Sequence, residues 1–235
     1  MKKTSWLIMT YAVVFALFLA TAQLINRTAT VWSEQAPINN RKCVIIDAGH
    51  GGVDGGATSC SGVLESQINL EIALKLNDLI HLLGMDTYMI RSDDRSVYTE
   101  GESIAAKKVS DLNERVRIVN QADNAILISI HQNYFPDAQY HGAQVFYGSH
   151  SDSQAFALSM QKELIANLNS GSNRNIKTGQ GIYLLEKSTL PAILIECGFL
   201  SNPVEEAKLR NNTYQQKLCC VIASVCSRYL QSSIA

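Results

Sequence analysis

The chain has 235 residues, 46% of them hydrophobic, and its 20 Lys+Arg nearly balance 21 Asp+Glu for a formal net charge of −1. That length supports one core of ordinary size and excludes two large domains. Basic residues are spread among acids rather than gathered in a block, which argues against a nucleic-acid partner.

Residues 1–24 read as a signal peptide or membrane anchor. Lys2 and Lys3 precede an uncharged run from Trp6 to Leu24, and Ala20-Thr21-Ala22 suits signal peptidase. Either outcome exports the remainder, as a secreted or membrane-anchored protein that meets the membrane only through this segment. Residues 25–40 lack periodicity and read as a linker, so the folded domain is expected over 41–235.

A buried strand is predicted over 43–47, followed by a glycine-rich loop over 49–62. A helix over 66–83 carries Ile68, Ile72, Leu76, Leu79 and Leu83 at helical spacing and stops at Gly84. Residues 87–91 read as a strand, 92–110 as irregular, and 112–121 as a helix with Asp111 as N-cap. Strands follow at 125–130 and 143–147, and then a helix at 151–168 with Phe156, Met160, Leu164 and Leu168 on one stripe. A loop at 170–180 leads to strands at 181–185 and 192–196, and helices near 203–211 and 214–230 close the chain. Alternating strands and helices imply a single α/β domain, its mixed, mostly parallel sheet covered by helices on both faces.

Six cysteines in an exported chain could pair in fifteen ways. Their irregular spacing and the size of the domain favour free, buried thiols, above all for Cys219, Cys220 and Cys226.

Two short segments carry the chemistry. Asp47-Ala48-Gly49-His50-Gly51-Gly52 follows Val44-Ile45-Ile46, and Ser129-Ile130-His131-Gln132-Asn133 follows Ile126-Leu127-Ile128. A histidine at the end of a buried strand points into the crevice where α/β proteins bind ligands. Catalytic zinc takes three ligands from His and Asp/Glu and leaves a fourth position open. His50 and His131 are the nitrogen candidates, and Glu65, behind the flexible loop, is the carboxylate that can join them. Glu196 ends the otherwise apolar Ile193-Leu194-Ile195 run, where an unpaired charge is costly to bury. As a group beside the metal rather than a ligand, it could move a proton.

Other readings are weaker. Gly49 to Gly56 lacks both common phosphate-loop spacings. Cys197 as a nucleophile is disfavoured by its place in an inward-packing strand. His81, His141 and His150 read as helix-surface or loop residues, and Arg91 and Arg115 as structural ion-pair partners.

Taken together, these residues resemble the zinc-dependent N-acetylmuramoyl-L-alanine amidases of the bacterial cell wall. The matching blocks are Asp47 to Ala57, Gly62-Val63-Leu64-Glu65, Arg91 to Asp94, Leu112 to Arg115, Ala122-Asp123, Ser129 to Asn133, Gly142-Ala143 and Pro191 to Asn202. The resemblance implies one zinc ion on His50, Glu65 and His131, with Glu196 as catalytic acid/base and Asn133 supporting substrate. Gln132 and Cys197 depart from the residues common at their positions, and neither departure removes a ligand.

Within the family the chain looks most like the spore-cortex amidases. That likeness implies peptidoglycan as substrate, a muramic-acid deacetylase acting on the product to form muramic-δ-lactam, and a regulatory partner protein. A zinc peptidase cutting within the stem peptide, or a catalytically silent wall-binding module, are the alternatives that the residues alone leave open.

Overall fold

The computed structural model describes residues 42–232. The expected signal or anchor segment (1–24) and linker (25–40) lie outside the described residues. No helix among the described residues is long and apolar enough to cross a membrane.

Six strands form one sheet: β1 (Cys43–Ala48), β2 (Asp86–Met89), β3 (Ala125–Asn133), β4 (Gln144–Tyr147), β5 (Lys177–Thr178) and β6 (Ala192–Phe199), in the order β2-β1-β3-β6-β4-β5. Only β4 against β6 is antiparallel; the other neighbours run parallel. The sheet is therefore mixed and mostly parallel, as expected. Central β1, β3 and β6 are buried on both faces, which is why they read as continuous apolar runs.

Side chains alternate along these strands and feed two unequal cores. Val44, Ile46, Ile128, Ile130, Ile193 and Ile195 face the larger one, closed by α1 (Glu65–Leu82), α3 (Ser153–Leu168) and α6 (Asn212–Ser232). Cys43, Ile45, Leu127 and Leu194 face the smaller one, covered by α2 (Ile104–Val119) and the short α4 (Tyr183–Lys187). A last helix, α5 (Pro203–Leu209), starts at Asn202, whose side chain accepts from the backbone N–H groups of Val204 and Glu205. Register pairs Asp47 with Ser129 and His131 with Glu196, so all four belong to the face of the smaller core. That thinner side leaves room for a cleft at the carboxyl ends of the parallel strands.

Three local expectations need correction. The segment 181–185 is not a strand: Gly181 turns the chain at φ +83°, and α4 follows, with Leu184 and Leu185 buried in the smaller core. A short apolar run is compatible with either structure, and packing decides. The helix expected at 112–121 begins earlier, at Ile104, capped by the Ser103 hydroxyl, which accepts from Ala106 N. Asp111 is thus an interior residue of α2 and not a cap. On α1, Ile80 takes the last buried place of the stripe while Leu83 is exposed, because 3.6 residues per turn carries the face around.

All six cysteines are unpaired. Cys43, Cys197, Cys219 and Cys226 are buried as expected, whereas Cys60 and Cys220 are exposed.

Candidate active site

The loop after β1 is shaped by close approach. His50 has φ +60°, a left-handed conformation uncommon for a residue with a side chain. A Cβ on Gly49 would stand 2.2 Å from His131 Nε2, so only glycine lets the two histidine-bearing segments meet.

Two buried arginines hold this loop by its carbonyls. Arg91 donates from Nε to Ala48 O (2.7 Å) and from Nη2 to Gly49 O (3.0 Å) and Ser66 O (2.9 Å). Arg115, on α2, donates from Nη2 to His50 O (2.7 Å) and from Nη1 to Ala48 O (3.2 Å). Arg115 also pairs with Asp47, which accepts from Ser129 Oγ at 2.6 Å, and with Asp111 at 2.6 Å. Three consecutive carbonyls, 48 to 50, are thereby captured, and the direction of the His50 side chain follows from them. Arg115 is a structural ion-pair partner, as expected, whereas Arg91 makes its hydrogen bonds to backbone carbonyls and no ion pair among the described residues.

His50, Glu65 and His131 come together: one ligand atom from each lies within 4.8 Å of the others, a group that could hold a metal ion. Glu65, in the first turn of α1, stands between the imidazoles, with Oε2 3.2 Å from His50 Nε2 and Oε1 3.0 Å from His131 Nδ1. Backbone N–H groups of Ala57 (2.9 Å) and Gln132 (3.1 Å) donate to the same carboxylate. Asn69, fully buried, donates to Glu65 Oε1 (3.3 Å) and to Gly49 O (3.1 Å), tying α1 to the loop. Burial works against the Glu65 charge, but the hydrogen bonds and charges of His131 and His50 outweigh it and hold the carboxyl well below its usual range.

The other ring nitrogen of His50 is also engaged. Nδ1 donates to Asp54 Oδ2 at 2.8 Å, and Asp54 Oδ1 meets Lys108 Nζ at 2.7 Å. Burial opposes charge on His50, yet Glu65 and then Asp54 outweigh it and raise the imidazole to about 9. Asp54 is itself pulled down to about 2, against its burial, by Lys108 and His50. Sequence reasoning assigned Asp54 and Lys108 no role. A carboxylate four residues past a candidate metal histidine is a usable signal for the first, because ligating histidines bond a carboxylate through their far nitrogen. Nothing in the sequence marked the lysine.

Glu196 lies across from His131 in the β3–β6 register. Its Oε2 is shielded from solvent and has no hydrogen-bond partner among the described residues. Burial, first, and the nearby Glu65 charge push its carboxyl up to about 7, against the pull of the two histidines. His50, His131, Glu196 and Tyr183 line one cavity of about 390 Å³, walled on one side by Lys107 and Lys108 of α2.

Asn133 stands apart: it ends β3, its backbone carbonyl accepts from Leu200 N at 2.8 Å, and it does not line that cavity. Cys197 is buried on the opposite face of β6, its thiol pushed up by burial and by the Glu196 charge. His81 and His141 are exposed, and His150 is half-buried in a loop away from the cluster.

A mostly parallel α/β sheet with two imidazoles and a carboxylate at its carboxyl edge, beside an unpartnered glutamate, defines the class of hydrolytic metal-site proteins. Residues 44–226 match the N-acetylmuramoyl-L-alanine amidase family, and the chain belongs to that family. The germination-specific N-acetylmuramoyl-L-alanine amidase of Bacillus subtilis is 35% identical over 230 residues, 97% of this chain and 95% of the relative. Among solved structures, the CwlD amidase of Clostridioides difficile in complex with the GerS lipoprotein is 38% identical, with a TM-score of 0.77, covering 82% of this chain and 100% of that one. An N-acetylmuramoyl-L-alanine amidase from Clostridium difficile 630 is 30% identical with a TM-score of 0.70, over 82% and 98% of the two chains. The protein is accordingly an amidase of the cell wall, with peptidoglycan as its substrate.

Proposed function

We propose that His50, Glu65 and His131 hold one zinc ion and that Glu196 is the proton carrier in hydrolysis of the amide between N-acetylmuramic acid and L-alanine. The donor set suits zinc: two imidazoles and one carboxylate, with the carboxylate and the far side of His50 both fixed by further hydrogen bonds. When bound, zinc supplies Lewis acidity, polarising the scissile carbonyl and lowering the pKa of a coordinated water to about 7.

The chain's own residues do the rest. The arginine-held loop fixes His50, and α1 presents Glu65 from its first turn. Glu196 takes a proton from the attacking water and returns it to the leaving amine of L-alanine. Its carboxyl near pH 7 can do both at neutral pH, since a proton carrier works best with a pKa close to ambient.

The single observation that carries this reading is the shielded, unpartnered Glu196 Oε2 beside the histidine–glutamate–histidine cluster. Glu196→Gln should retain fold and zinc content and lose on the order of 10²–10⁴-fold in rate. Mass spectrometry of digested peptidoglycan reads it out as loss of new L-alanine N-termini and of peptide-free muramic acid. A folded, zinc-loaded variant with wild-type rate overturns the assignment.

Likeness to the germination-specific relative supports a role in the spore cortex, on the outer side of the membrane, where a muramic-acid deacetylase would act on the product. The GerS complex of the CwlD amidase supports a lipoprotein as regulatory partner here as well.

A further inference from the structure

The walls of the catalytic cavity carry three formal cations, and two of them are committed. Arg115 serves Asp47 and Asp111, and Lys108 serves Asp54. Lys107, half-buried on the same wall, makes no ion pair among the described residues. Its ammonium lies 5.2 Å from the centre of the Tyr98 ring, a contact that steadies the side chain without neutralising it. The anions show the mirror situation: Asp47, Asp54 and Asp111 are each paired, and Glu196 is not.

The cavity thus holds one uncommitted charge of each sign. The negative one has its task in moving the proton. We propose that the positive one, Lys107, binds a free carboxylate on the stem peptide, a few bonds beyond the scissile amide. An anionic substrate entering beside the unpaired Glu196 is favoured by an unpaired cation at the same wall. A lysine ammonium can donate to the oxygen of a carboxylate or of a carboxamide, but only the carboxylate adds charge attraction, which makes its bond the stronger one. The inference rests on the amidase reading above and makes Lys107 a specificity-determining residue within it.

The test uses the zinc-loaded protein and two synthetic muramoyl-peptides that differ only in whether the carboxyl of the second peptide residue is free or amidated. Wild type should prefer the free acid by about tenfold in kcat/KM, the scale of one partly exposed charge-assisted contact. Lys107→Met should bring the ratio of the two substrates close to one, through a raised KM for the free acid with little change in kcat, and Lys107→Arg should keep most of the preference. A purely structural lysine would move both substrates together. Equal wild-type rates on the two substrates, or a Lys107→Met loss that is the same on both, overturns the inference and leaves the amidase reading standing. Cleavage of neither substrate at the muramoyl amide by wild type overturns both.

Discussion

Asp54 accepts a hydrogen bond from His50 on one oxygen and pairs with Lys108 on the other. The first contact selects the tautomer that leaves Nε2 free to bind a cation; the second keeps the carboxylate ionised. Asp54→Ala should therefore weaken zinc binding by about 10–100-fold while the fold persists, the usual cost of losing such a partner. Competition against a chromophoric chelator measures this. Lys108→Met should cost less, because its ammonium is exposed and the pair is partly screened. His50, Glu65, His131 and Glu196 were legible as single letters because each breaks an apolar or glycine-rich context. Asp54 and Lys108 were not, since their meaning lies in a contact between a loop and a helix distant in sequence.

Helix α1 joins the core to the chemistry. Its inner stripe, Ile68, Ile72, Leu76 and Ile80, is buried to 1% exposure or less, and its first turn delivers Glu65. Leu76 lies about three turns from Glu65. Leu76→Ala should cost about 2–5 kcal/mol by opening a cavity. Scanning calorimetry should show Tm falling by about 2–4 °C for each kcal/mol in a domain of this size, with zinc affinity unchanged. Elements with long apolar faces were readable in the sequence, including β1, β3, β6, α1 and α3. Helix α2 was only half readable because it buries just Ser110, Arg115, Ile118 and Val119 and otherwise faces solvent or the cleft. Its first half has no apolar stripe to announce it. The same helix carries Lys107, Lys108 and Arg115, so this half-legible element supplies the cleft's cationic wall.

Across the whole molecule, the sheet's two faces divide the work: one carries most of the apolar burial, and the other keeps ionised groups in register beneath the cleft. Asp47 is the deepest of these. Burial opposes its charge, but Arg115 and His131 together with the Ser129 hydroxyl outweigh that and lower its pKa. A depressed carboxyl contributes stability that is full above its unfolded value of about 3.9 and is lost as pH falls through the lower folded value. Urea unfolding midpoints should accordingly drop between pH 5 and pH 3, on either side of the ordinary carboxylate value of about 3.9. Asp47→Asn should be about 1–3 kcal/mol less stable at neutral pH, since Arg115 keeps Asp111 but loses its more deeply buried partner, and should show a shallower loss in acid. The alternation that aims Asp47, Ser129, His131 and Glu196 at one face also limits how such a chain can change length. One residue added inside β3 or β6 would reverse the facing of everything beyond it, moving His131 or Glu196 into the aliphatic layer under α1. An added residue that keeps the four on one face must therefore sit in a loop or enter a strand as a bulge, as at the register shift between His131 and Asn133.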